Sequence, residues 1–245
     1  MDITTIVGMA GAAALIFAGF AGNQISASLI NMHGVVVVLG GTLVATLLNT
    51  PLKHMTRAIS ELGFFFRENG ESSPEKLIPV LVNLAEQCRM RGLTVLKDAD
   101  PAAAKGFLNR AASAALEYND YKFVRQVLEQ EINQRVDDMN AVKNVYRTMG
   151  VMAPMFGLLG TLIGIIGVLK DLSNPESVGP AMGVAITSAF YGIFFANMVC
   201  SPIAGKMQAK VWMEVRIKSM IMEGVLEIMK GSMPLVVERR LQSYL

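Results

Sequence analysis

The chain has 245 residues, 52% hydrophobic and 17% charged, with a mean hydropathy of +0.42. A soluble globule carries about 25% charged residues, so an ordinary water-soluble domain is excluded. A net charge of +2 with both signs interleaved excludes a basic nucleic-acid face, and two cysteines and two histidines argue against a disulfide framework or a His/Cys metal site.

The charge is unevenly spread. Of the 42 charged residues, 27 lie between Pro51 and Arg147, and none lies from Ile3 to Leu52, from Thr148 to Leu169 or from Ser177 to Gly205. About 20 apolar residues span a bilayer as a helix. The first run therefore accommodates two spans and the others one each, which predicts an all-α membrane protein with four transmembrane helices. The expected layout is spans one and two in 1–50, a helical cytoplasmic segment in 51–147, spans three and four in 148–204 and a cytoplasmic helical tail in 205–245.

Span one covers Ile3 to about Ala21. A cleaved signal peptide is the competing reading, but Met1-Asp2 offers no basic start and the apolar stretch is longer than such peptides need. After a short polar loop, span two runs from about Met32 to Leu48. Its four valines, Val35 to Val38, favour strand in isolation, whereas the length without charge favours a helix in lipid. In the charged segment Leu77, Ile78, Leu81, Leu84, Ala85 and Cys88 recur at helical spacing, with Gly92 as the cap. A second helix is expected from Pro101, with Asp100 as N-cap. A third begins near Tyr121 with Val124, Val127, Leu128, Ile132, Val136, Met139 and Val142 on one face, and continues into the membrane. This segment is expected to lack a large core of its own and to pack on its neighbours. Lys53, Arg57, Lys143, Arg147, Lys206 and Lys210 flank one side of the spans, so the positive-inside rule places that side and both termini in the cytoplasm.

Spans three and four contain no ionisable residue. A bundle that moves ions through itself normally carries such a group, so either the chain does not transport or a partner helix brings the carboxylate. An intramembrane enzyme is disfavoured by the lack of a carboxylate pair or of a nucleophile beside a base. The spans do carry small residues at helical spacing. Gly157, Gly160 and Gly164 lie with Thr161 in span three, and Ala185, Gly192 and Ala196 lie with Ala189 in span four, beside Thr187 and Ser188. Such stripes allow close helix approach, either between the two spans or against a foreign helix. Pro154 and Pro202 bracket the pair, as helix ends or as hinges.

These residues resemble a known family. Met152-Ala153-Pro154-Met155-Phe156-Gly157-Leu158-Leu159-Gly160-Thr161-Leu162-Ile163-Gly164, then Gly179-Pro180-Ala181-Met182, then Tyr191-Gly192 through Ala196-Asn197 to Pro202-Ile203-Ala204, look like the signature of MotA/PomA flagellar stator subunits, within the MotA/TolQ/ExbB proton channel superfamily. The order and lengths of the segments are similar along the whole chain. The resemblance implies an inner-membrane homopentamer in contact with lipid, surrounding two copies of a single-span MotB/PomB-type partner whose membrane Asp binds the permeating ion. It implies no enzymatic activity, no cofactor and no resident metal. It also implies that Pro154 and Pro202 are functional prolines.

Two departures stand out. The family's rotor-contacting Arg matches Arg89, but its Glu eight positions later is Lys97 here, followed by Asp98. A rotor protein of the FliG type would then need an acidic surface at this place, or the site is unused. Sodium-type members carry a Thr matching Thr161, which is present, and another at the position of Ala189, which is not. The ion pathway is therefore expected at Thr161, Thr187, Ser188 and Ala189, with sodium favoured over the proton. The alternatives are a non-flagellar energiser of the cell envelope like TolQ/ExbB, or a membrane scaffold that conducts nothing.

Overall fold

The computed structural model describes residues 7–8, 10–12, 14, 31–65, 73–170 and 172–245. Among them every regular element is helical: α1 Met32–Asn49, α2 Leu52–Phe65, α3 Pro74–Arg91, α4 Phe107–Tyr118, α5 Tyr121–Lys170, α6 Pro175–Phe194, α7 Ser201–Met229 and α8 Pro234–Gln242. Among the described residues, three helical stretches are long and apolar enough to cross a membrane, namely Met32–Asn49, Tyr121–Lys170 and Val178–Met229. The first expected span, Ile3 to about Ala21, falls outside the described residues except at a few positions.

The chain forms two compact units, residues 1–68 with 140–208 and residues 69–139 with 209–245. In the first, α1 begins at Asn31, whose side chain accepts from the Gly34 N–H at 3.3 Å. The valines stay helical because lipid offers no other partner to backbone polar groups, but Val36–Gly40 widens into a π turn. A second π turn, Phe195–Cys200, joins α6 to α7. Helix α2 belongs to this unit rather than to the charged segment. Its Ala58 is buried with Val142, Val145, Tyr146 and Met207, and the Tyr146 hydroxyl donates to the Ala58 carbonyl at 2.8 Å.

The second unit has a continuous apolar core. The α3 residues Leu77, Ile78, Leu81, Leu84, Ala85 and Cys88 are all buried in it, as are Val124, Leu128 and Ile132 of α5. The tail completes that core: Ile217, Met220, Ile221, Val225 and Leu226 of α7 and Val237 and Leu241 of α8 lie in the same cluster. The segment 51–147 and the tail 205–245, separate in the sequence reading, thus share one core between 69–139 and 209–245. The reason is that the apolar stripes of α3 and α7 each need a second face to bury against.

One helix starts later than the sequence suggests. Asp100 does cap locally, accepting from the Ala102 N–H at 2.9 Å, but only a 3-10 turn, Ala103–Gly106, follows. Ala104, Lys105 and Gly106 all have positive φ (50°, 59° and 80°), which breaks the helix, and α4 begins at Phe107. Gly92, at φ 85°, ends α3 as expected, and its N–H donates to the Cys88 carbonyl at 2.8 Å.

Candidate functional site

The membrane part of α5 packs on α6 through the small residues singled out above. A Cβ added at Gly157 would stand 2.9 Å from the Ser188 carbonyl oxygen, one at Gly160 2.5 Å from the Ser188 side chain, and one at Gly164 2.7 Å from Ala185. From the other side, a Cβ at Gly192 would stand 2.6 Å from the Ala153 carbonyl oxygen. The two stripes therefore occupy each other within one chain. Ala185 and Ala196 are buried, while Ala189 is half-buried with its Cα beside Gly157.

Helix α1 seals the same junction, through residues the sequence reading did not single out. Gly34 lets it approach the hydroxyls of Thr187 and Ser188, and Gly41 leaves room for the Phe156 ring. The only sequence signal was glycine at 34 and 41, which is weak without knowing what stands opposite.

The hydroxyls sort clearly by environment. Ser188 and Thr187 are 0% and 2% exposed, and donate to the carbonyls of Val184 and Gly183 at 2.7 Å each, four residues back in their own helix. Thr161 is half-buried and bridges the two helices, donating to the Gly157 carbonyl at 3.0 Å and to the Ala185 carbonyl at 3.1 Å. Of the three, Thr161 alone remains partly open.

Pro154 lies inside α5, so the carbonyl of Gly150 has no N–H to accept from at the usual position. Pro202 lies two residues beyond the end of the π turn Phe195–Cys200, as the second residue of α7. The two sites converge: a Cβ at Gly150 would touch the Cys200 side chain at 3.3 Å. On their open faces, α5 and α6 expose large apolar side chains, including Leu158, Leu162, Ile166, Ile186 and Ile193.

In the other unit, Arg89 sits exposed in the last turn of α3, and Lys97 and Asp98 are exposed at the end of the 3-10 turn Leu93–Asp98. The unit also holds two carboxylates the sequence reading did not single out. Glu214 meets Arg135 at 3.2 Å, Lys218 at 3.3 Å and Lys105 at 3.5 Å. Burial pushes its carboxyl upward, but the three cations outweigh that and hold it below the usual carboxylate value. Glu227, buried, accepts from Ser232 at 2.6 Å and Lys230 at 2.9 Å and pairs with Arg240. Burial raises it, and these hydrogen bonds and charges more than reverse the effect. No group of three or more possible metal ligands occurs among the described residues.

Fold and composition define a multi-pass helical membrane protein. The model of the MotA/TolQ/ExbB proton channel family matches residues 99–220. An uncharacterised Bacillus subtilis protein named YtxD is 30% identical over 98% of this chain and 89% of its own length. Motility protein A of the same organism is 28% identical over 100% of this chain and 91% of its own. The structure of the flagellar MotAB stator complex from Bacillus subtilis superposes with a TM-score of 0.90 at 28% identity, covering 100% of this chain and 96% of that one. The chain belongs to the MotA/TolQ/ExbB proton channel family.

Proposed function

We propose that the chain is a MotA-like stator subunit of a flagellar motor: the ring-forming part of an inner-membrane complex that conducts an ion and converts its flow into torque. One observation carries this reading. The membrane parts of α5 and α6 pair tightly and keep broad apolar faces open, yet the chain brings no carboxylate into them. Such a pair is built to be completed by neighbouring copies and by a partner helix supplying the Asp. A solved relative is a MotAB complex, which supports a MotB/PomB-type partner. The homopentamer, four spans and cytoplasmic termini follow from the resemblance and from the placement of Lys and Arg.

Torque would pass through the exposed Arg89, Lys97 and Asp98 to a rotor protein of the FliG type. Lys97, where the stator family carries Glu, also favours a second reading, a non-flagellar energiser of the cell envelope. Charge reversal at Lys97 separates the two: loss of rotation supports the rotor contact, and unchanged motility removes it.

The main test is ion flux. The purified chain alone in liposomes conducts nothing, because an ion leaving water needs a charged or multi-oxygen partner. Co-reconstitution with the single-span partner restores flux. Conduction by the chain alone would sink the proposal.

A further inference from the structure

We propose that a cleft at the cytoplasmic end of the membrane helices binds the phosphate headgroup of an anionic phospholipid. The cavity, about 550 Å³, lies where α1, the start of α2 and α5 meet, within one unit of the chain. Its polar lining is Asn49, Thr50, His54, Asn144, Arg147 and Thr148. None of these six side chains hydrogen-bonds or pairs with another described residue, although nearby polar groups such as Lys143 and Gln208 are matched. Six polar side chains around one cavity with no partner among the described residues form a binding surface open to something else.

The charge of the lining selects the ligand. Arg147 is a permanent cation whose planar fork suits phosphate, and no carboxylate lines the cavity. The contrast lies in the charged unit, where a cavity of similar size is lined by Lys105, Arg110, Arg135 and Lys218 and the cations are answered by Glu131, Asp138 and Glu214. In that second cavity every cation has a carboxylate within 3.5 Å, whereas the lining of this one offers Arg147 none. Asn, Thr and His side chains add further hydrogen-bonding groups at the same place.

Position then distinguishes a lipid from a soluble anion. Arg147 is the last charge before the uncharged run from Thr148 to Leu169, and Lys53 and His54 directly follow the uncharged run from Ile3 to Leu52. The cleft is therefore at headgroup depth, where anionic lipids gather basic residues. Its membrane side continues into apolar surface on α1, where Val44 is 58% exposed, Leu47 49% and Leu48 86%. A diacyl lipid can place its phosphate on Arg147 and an acyl chain along these side chains, which free phosphate cannot do. The inference rests only on the membrane placement of α1 and α5, not on the motor reading.

The test uses the full chain purified with its partner in detergent, exposed to equal amounts of phosphatidylglycerol and phosphatidylcholine, with retained lipid counted by native mass spectrometry. Phosphatidylglycerol is expected to be retained preferentially, and Arg147→Gln to lower that preference by about fivefold or more, the loss of one charge-assisted contact to phosphate. Asn144→Leu lowers it less, and Lys53→Gln, a cation removed from the same end but outside the cleft, leaves it unchanged. Arg147 and Asn144 are exposed and unpartnered, so both variants keep the fold, which circular dichroism checks. Equal loss in Arg147→Gln and Lys53→Gln would mean general surface charge and overturn the site, as would no loss in Arg147→Gln. Displacement of the lipid by millimolar inorganic phosphate would overturn the lipid assignment in favour of a soluble anion.

Discussion

At the scale of single residues, the close approach of α5 and α6 is decided by what a missing Cβ leaves room for. At Gly192 an added methyl would meet backbone, the Ala153 carbonyl oxygen at 2.6 Å and the Gly157 Cα at 3.1 Å, and backbone cannot swing aside. Gly192→Ala is therefore expected to push the helices apart and cost about 1–3 kcal/mol, whereas Gly183→Ala, with nothing within 4 Å, is neutral. Thermal unfolding in detergent checks the pair, and equal melting temperatures would remove Gly192 from the interface. A second residue-scale expectation concerns Glu214. Its carboxyl is held below the ordinary value of 4.5, so its contribution to stability is fully present above that pH and is lost as pH falls through the lowered folded value. Glu214→Gln abolishes that part of the acid sensitivity. At neutral pH it destabilises the charged unit by about 3 kcal/mol, because Lys218, 6% exposed, is left without its carboxylate. Denaturant unfolding at pH 7 and pH 4 reads both effects, and an unchanged pH profile would sink the assignment.

At the scale of elements, the helices were readable where a single periodicity ran without interruption, and misread where backbone geometry overrode local chemistry. The apolar spacing of α3 and the seven-residue face of α5 both stand in the structure as helix, because burial of a stripe needs only the right period. Asp100-Pro101 looked like a helix start and is one turn of 3-10 structure, since three successive positive φ angles at Ala104 to Gly106 cannot be read from Ala and Lys, residues that rarely adopt them. The π turns before Gly41 and Ser201 were equally invisible. The second of them bears on coupling. The π turn ends beside Pro202, and its Cys200 faces Gly150, the residue whose carbonyl Pro154 leaves without its usual donor. Two weak points in adjacent helices thus meet at one contact, where the hinge reading of the two prolines expects a joint. Pro154→Ala and Pro202→Ala are expected to insert and co-purify with the partner at normal levels while work output is lost. Failure of both variants to insert or assemble would make them structural prolines only.

At the scale of the whole molecule, the sequence carried the class of machine further than it carried the ion. Charge-free runs and a glycine stripe are long-range patterns that survive without side-chain coordinates, but ion choice depends on which oxygens are still open after the helices have packed. Of the hydroxyls near the expected pathway, those of Thr187 and Ser188 are enclosed and committed to their own helix, and Ala189 offers none. Thr161 is different: it shares one proton between two carbonyls, at 3.0 and 3.1 Å, and its oxygen keeps lone pairs on a partly open face. A permeating sodium ion must exchange hydration oxygens for such groups, whereas a proton needs only the partner's carboxylate. With Thr161 contributing one oxygen and the partner's Asp the charge, sodium is the expected ion, and the missing hydroxyl at Ala189 predicts weaker selectivity than a site holding both. The measurement is work output of the reconstituted complex as sodium is varied at constant pH and constant proton-motive force. Output should rise with sodium and lose that dependence in Thr161→Ala. Output indifferent to sodium and unchanged in Thr161→Ala would make the complex a proton machine and Thr161 a packing residue between α5 and α6.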